Sequence, residues 1–93
     1  MKTEAKYMIT QKLNPQTFSA DTTELEKTFS PEAAAKYSTK QLFRKAAELQ
    51  GELMEAGIHS DIAHTWDESN HTVSVTVTPF EEDVIKLKKK VAL

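Results

Sequence analysis

Apolar and polar residues recur with two different periods along this chain, and the switches between them set the expected elements. Residues 6–13 open on Tyr7, Met8 and Ile9, side chains that favour a pleated, half-buried surface. They predict a first strand ending at Asn14-Pro15, because proline has no N–H to give a ladder. Residues 14–30 show no clear period. Asp21-Thr22-Thr23-Glu24 has the form of a capping box, so this segment reads either as a short helix over 25–29 or as a loop.

A helical period follows. Ser30-Pro31-Glu32 can start a helix, with a hydroxyl acceptor, a proline at the first position and an acid at the positive end. Whether that helix breaks at Ser38 is open, since Ser38-Thr39-Lys40-Gln41 is a second capping box with Tyr37 placed to pack on Leu42. Leu42, Ala46, Leu49, Leu53 and Ala56 then recur at steps of four and three, which is one helix face. Gly57 stands where a left-handed residue ends a helix, and Ile58 is placed to touch Leu53. Gly51 inside the helix costs about 1 kcal/mol relative to alanine.

The period of two returns after Gly57. Val73-Ser74-Val75-Thr76-Val77 alternates strictly, giving one apolar and one hydroxyl-bearing face. Residues 61–66 form the other arm of a hairpin turning at residues 67–70. That turn pairs Trp66 with His71, His64 with Val73 and Ile62 with Val75. Thr78-Pro79-Phe80-Glu81 has the form of a capping box with proline at the first helical position. The last helix carries Phe80, Val84, Leu87 and Val91 as a stripe with Ile85 beside it. Its acids Glu81–Asp83 come first and its lysines last, as the macrodipole favours.

The expected fold class is α+β, in the order β-α-β-β-α. A three-stranded antiparallel sheet of order 2-3-1 packs on one long helix and a C-terminal helix. With 93 residues, a single domain over 1–93 is expected. The 39% hydrophobic content is enough for one small core.

Composition narrows the chemistry. There is no cysteine, which excludes disulfides, thiolate metal sites and a cysteine nucleophile, and suits a reducing compartment. No signal-peptide pattern and no bilayer-length apolar run are visible, so a cytoplasmic protein with no membrane partner is expected. His59, His64 and His71 with Asp61, Asp67 and Glu68 suggest a metal, but alternation scatters them, and no metal or cofactor is expected. Ser74, His64 and Asp61 cannot form a nucleophilic triad, because Ser74 and His64 fall on opposite sheet faces. With only two glycines there is no phosphate-binding loop, so no catalytic residue is assigned.

The net charge of −2 lacks the basic surplus of a duplex-binding protein. The functional expectation is a small non-catalytic protein–protein interaction or regulatory module. Its partner is another protein, with homodimerisation through the last helix or the first strand's edge as a further route. The alternative is a nucleic-acid-binding accessory protein. In that reading Lys86, Lys88, Lys89 and Lys90 contact phosphates and Trp66 offers a stacking surface.

Overall fold

A computed structural model describes residues 12–91. Strand β1 (Gln16–Asp21) is followed by a 3₁₀ turn (Leu25–Lys27) and helix α1 (Pro31–Glu55). Strands β2 (Ser60–Asp67) and β3 (Thr72–Pro79) form a hairpin, and helix α2 (Glu81–Val91) follows. The sheet is antiparallel in the order β1-β3-β2, with the most apolar strand in the centre, as its alternation demands. The α+β class, the element order and the sheet order all match the reading of the sequence.

The first described strand lies later than the one expected over 6–13. Of residues 6–13, positions 6–11 lie outside the described residues, and Lys12 and Leu13 sit in a turn. The strand paired with β3 is Gln16–Asp21, inside the segment that showed no period. Pro15 therefore immediately precedes a strand. β1 joins the sheet through Phe18 and Ala20, which pack against the core, while Thr17 and Ser19 face outward and bond Thr76 and Ser74, hydroxyl to hydroxyl, at 2.9 Å each.

α1 is continuous from Pro31. Ser30 Oγ accepts from Ala33 N at 3.2 Å, and Pro31 occupies the first turn. The second capping box starts nothing: Ser38 is buried in mid-helix, on the stripe Ala34, Ala35, Ser38, Leu42, Ala46, Leu49, Leu53. An N-cap is useful only where backbone N–H groups are orphaned, and the helix has begun two turns earlier. Tyr37 accordingly stays exposed. The C-terminus does follow its local signals. Gly57 has φ +83°, its N–H donates to Met54 O, and Ile58 N–H donates to Leu53 O, both at 2.9 Å.

The hairpin turn sits one residue later than expected, so Trp66 pairs with Val73, His64 with Val75 and Ile62 with Val77. Asp67 Oδ1 accepts from Asn70 N (3.2 Å) and Oδ2 from Asn70 Nδ2 (2.7 Å). His71 takes φ +51°, a conformation no strand residue uses. The register moves by two, which keeps every side chain on its expected face. Pro79 also differs: it ends β3 opposite Ser60 instead of opening α2. Phe80 N–H donates to His59 O on the β2 side. The Pro79 nitrogen thus faces the other side, where β1 has already ended, and no ladder bond is lost.

The core lies between α1 and one sheet face: Leu42, Ala46, Leu49, Leu53, Ile58, Val73, Val75 and Val77, closed by Leu13. Val84 and Leu87 of α2 pack against it, whereas Phe80 and Ile85 are exposed. Among the described residues, nothing lies within 4 Å of where a Gly51 Cβ would stand. Gly51→Ala is therefore expected to raise the unfolding free energy by about 0.5–1 kcal/mol, read from urea denaturation. A loss of stability would show that the position has a steric constraint.

Candidate functional site

The turn from α1 into β2 and the turn from β3 into α2 meet at one end of the molecule. His59 leads into β2, and Asp83 lies in the first turn of α2. Asp83 Oδ2 accepts from His59 N at 2.9 Å and lies 3.0 Å from His59 Nδ1. These bonds, the backbone one foremost, hold the Asp83 carboxyl below its ordinary pKa. Gln50 Nε2 donates to Ser60 O at 3.0 Å, tying α1 to the start of β2. The His59 ring lies tilted 6.1 Å from that of Phe80.

Around this junction runs a shallow groove of about 320 Å³, lined by Gln50, Gly51, Met54, His59, Ser60 and Phe80. Met54 is 54% exposed and Phe80 43%, so two large apolar side chains of this groove stand open to solvent. Phe80 also borders a second depression with Asp61, Glu81 and Glu82, so carboxylates rim the apolar strip on one side. The sequence held one signal for this site. Met54 falls off the buried stripe of α1, three residues from a glycine that no cap explains. The His59–Asp83 link had none, because it joins residues 24 positions apart.

A second polar cluster closes the opposite end of the hairpin. Thr22 is fully buried, and its Oγ1 donates to Glu26 Oε2 (2.8 Å) with His71 O 3.1 Å away. Glu26 Oε2 also lies 2.7 Å from His71 Nδ1. The Thr22 hydroxyl first, and then His71, hold the Glu26 carboxyl below its ordinary pKa. Through these bonds the cluster fastens the 3₁₀ turn to the hairpin loop.

Glu26 and Asp83 contribute to a pH dependence, beside Asp21 and Asp67, whose carboxyls the Thr23 and Asn70 bonds also hold below their ordinary pKa. Their folded-state pKa values lie below the unfolded ones, so the stability they contribute is present above the ordinary carboxylate range and lost as pH falls through the folded values. Melting temperatures are expected to decline between about pH 5 and pH 2, and Glu26→Gln with Asp83→Asn to flatten that decline. An unchanged slope in the double variant would assign acid sensitivity to other groups.

The residues weighed for other chemistry are dispersed. His59 sits with Asp83, His71 with Glu26, and His64 packs edge-on against Phe43 at 5.4 Å. Among the described residues no three metal-ligating side chains come together. Ser74 bonds Ser19 on the outer sheet face, away from His64. Trp66 is half-buried on the core side of β2, with its Nε1 buried and without a hydrogen-bond partner among the described residues. Lys86, Lys88, Lys89 and Lys90 are all exposed on α2. Among the described residues no helix is long and apolar enough to cross a membrane.

Comparison with models of known protein families, with curated proteins and with solved structures gives no match.

Proposed function

We propose that this chain is a small non-catalytic interaction module that receives an apolar, basic-flanked segment of a partner protein in the groove beside Gly51. One observation carries the reading. Gly51 weakens an exposed stretch of α1, yet no atom of the described chain approaches the space its missing side chain leaves. Glycine in that position keeps the groove floor bare between Met54 and Phe80, where another chain's backbone can come close. The rim of Asp61, Glu81 and Glu82 supplies the complement for a lysine or arginine beside the apolar anchor.

The test is selection from a displayed random-peptide library with the full chain as bait. Peptides carrying a large apolar residue next to lysine or arginine should be enriched. Their affinity should fall at least about tenfold on Met54→Ser or Gly51→Phe, with the circular dichroism spectrum unchanged. Enriched peptides of other composition, or binding indifferent to both substitutions, would sink the reading.

The second reading, a nucleic-acid-binding accessory role, draws on the four exposed lysines of α2, which make no ion pair within the described residues. It is the weaker one. Glu81 and Glu82 stand on the same helix, and Trp66 packs against the core instead of offering an open ring face. It predicts salt-sensitive binding of labelled DNA or RNA that disappears on Lys88→Gln, Lys89→Gln and Lys90→Gln together. Absence of binding at low salt would remove it.

A further inference from the structure

The exposed face of α2 carries a pattern of which the groove uses only the acids. Ile85 is 45% exposed at the middle of this face, turned away from Val84 and Leu87, which pack on the core. Its neighbours on a helix surface are the residues three and four positions away. On the N-terminal side these are Glu81 and Glu82, and on the C-terminal side Lys88 and Lys89, all exposed. An apolar centre thus has two carboxylates one turn before it and two ammonium groups one turn after it.

None of these four charges forms an ion pair among the described residues. Glu81 and Lys88, like Glu82 and Lys89, are seven positions apart, about 10 Å along the axis, too far to pair within the helix. Lys88 and Lys89 have no acid three or four residues away. The macrodipole accounts for acids first and lysines last. It does not account for an exposed isoleucine at their midpoint.

We infer that α2 pairs antiparallel with α2 of a second copy of this chain, about a two-fold axis passing between the two Ile85 side chains. A two-fold perpendicular to both helices brings the same flank of each helix together. Glu81 and Lys88 lie on one flank of Ile85, and Glu82 and Lys89 on the other. The pairing sets Glu81 against the second copy's Lys88 and Glu82 against its Lys89, each twice by symmetry. A parallel arrangement would set acids on acids and bases on bases. The face is complementary to itself in one orientation only, and a charge pattern of this kind fixes orientation more than it adds affinity. One face of an eleven-residue helix is a small interface, so the self-association is weak and reversible. Lys86 and Lys90 lie off the contact. Glu81 and Glu82 also rim the groove, whereas Ile85, Lys88 and Lys89 belong to the pairing alone and do not line it, so the lysine variants and the Ile85 cross-link test the pairing apart from the groove.

Analytical ultracentrifugation of the full chain over a concentration series tests the pairing. Reversible dimers are expected, weakened severalfold by raising the salt from about 0.05 M to 0.5 M. Glu81→Lys with Glu82→Lys, and separately Lys88→Glu with Lys89→Glu, should each weaken self-association at least roughly tenfold. An equimolar mixture of the two double variants should dimerise again. A readout independent of charge uses the absence of cysteine. Ile85→Cys should form a disulfide-linked dimer under mild oxidant at least about tenfold faster than Lys90→Cys, whose side chain points away from the contact. A monomer up to about 1 mM, dimers indifferent to both charge variants, or equal cross-linking at the two positions would overturn the inference.

Discussion

Leu53→Ala is expected to lower the unfolding free energy by about 2–5 kcal/mol. A chain of 93 residues has roughly 5–14 kcal/mol in all, so this single truncation removes a large share. Leu53 is fully buried and belongs to the cluster that joins α1 to Ile58 and the valines of β3. It also sits where α1 ends, its carbonyl accepting from Ala56 N (3.0 Å) and Ile58 N (2.9 Å). Removing the isobutyl group opens a cavity beneath the turn that those bonds define, and the fixed backbone limits how far the site can collapse. The contrast is the neighbouring residue. Met54→Ala, at an exposed position, should change stability by less than about 1 kcal/mol. Urea denaturation of both variants decides the matter. Losses of equal size would mean that the packing described around Leu53 is not what holds this end of the helix.

The second large effect is expected at Thr22. Thr22→Val keeps the shape and removes the hydroxyl, leaving the Glu26 carboxylate and the His71 carbonyl without the donor that lies 2.8 and 3.1 Å from them. The loss should be about 1.5–3 kcal/mol, the range for a hydrogen bond to a charged acceptor, because the hydroxyl that is removed is itself fully buried. Thr22→Ser keeps the hydroxyl and drops one buried methyl group, for about 1 kcal/mol. Valine should therefore cost more than serine, and the reverse order would mean that packing rather than the hydroxyl matters at this position. The acid limb gives an independent check. The Thr22 hydroxyl is the foremost cause of the lowered Glu26 pKa. In the valine variant that pKa moves back toward its ordinary value, and less stability is lost on acidification.

Thr22 also marks where the sequence is least legible. Its segment has no hydrophobic period, and β1 contributes only Phe18 and Ala20 to the core. The tract around Tyr7 is the stronger local strand signal. What places Gln16–Asp21 in the sheet is its pairing with β3, a contact 55 positions away between Ser19 and Ser74. Local pattern cannot register such a contact. Signals complete within a few residues were readable: Ser30-Pro31, Gly57-Ile58 and the alternation of β3. The Ser38 box shows how such a signal fails, since it competes with an earlier start on the same helix and lies on the buried stripe. The hairpin shows a third case, in which face is set by parity and register by the turn, so the first was legible and the second was off by one turn position.

The candidate sites divide in the same way. The lysines of α2 were visible as charge. The proposed match to Glu81 and Glu82 of a second copy rests on Ile85 standing in the open between them. The groove needed the fold to bring Phe80 beside Met54 and Gly51.

The central position of β3 has a consequence for synthesis on the ribosome. Both β1 and β2 take their sheet partners from β3, and β1 waits through the whole of α1 and β2 before that partner exists. Until Thr72–Pro79 emerges, the described segments can form α1 but no part of this sheet, and the apolar stripe of α1 is left uncovered. The nascent chain should therefore acquire protease resistance late and in one step, rather than growing it strand by strand.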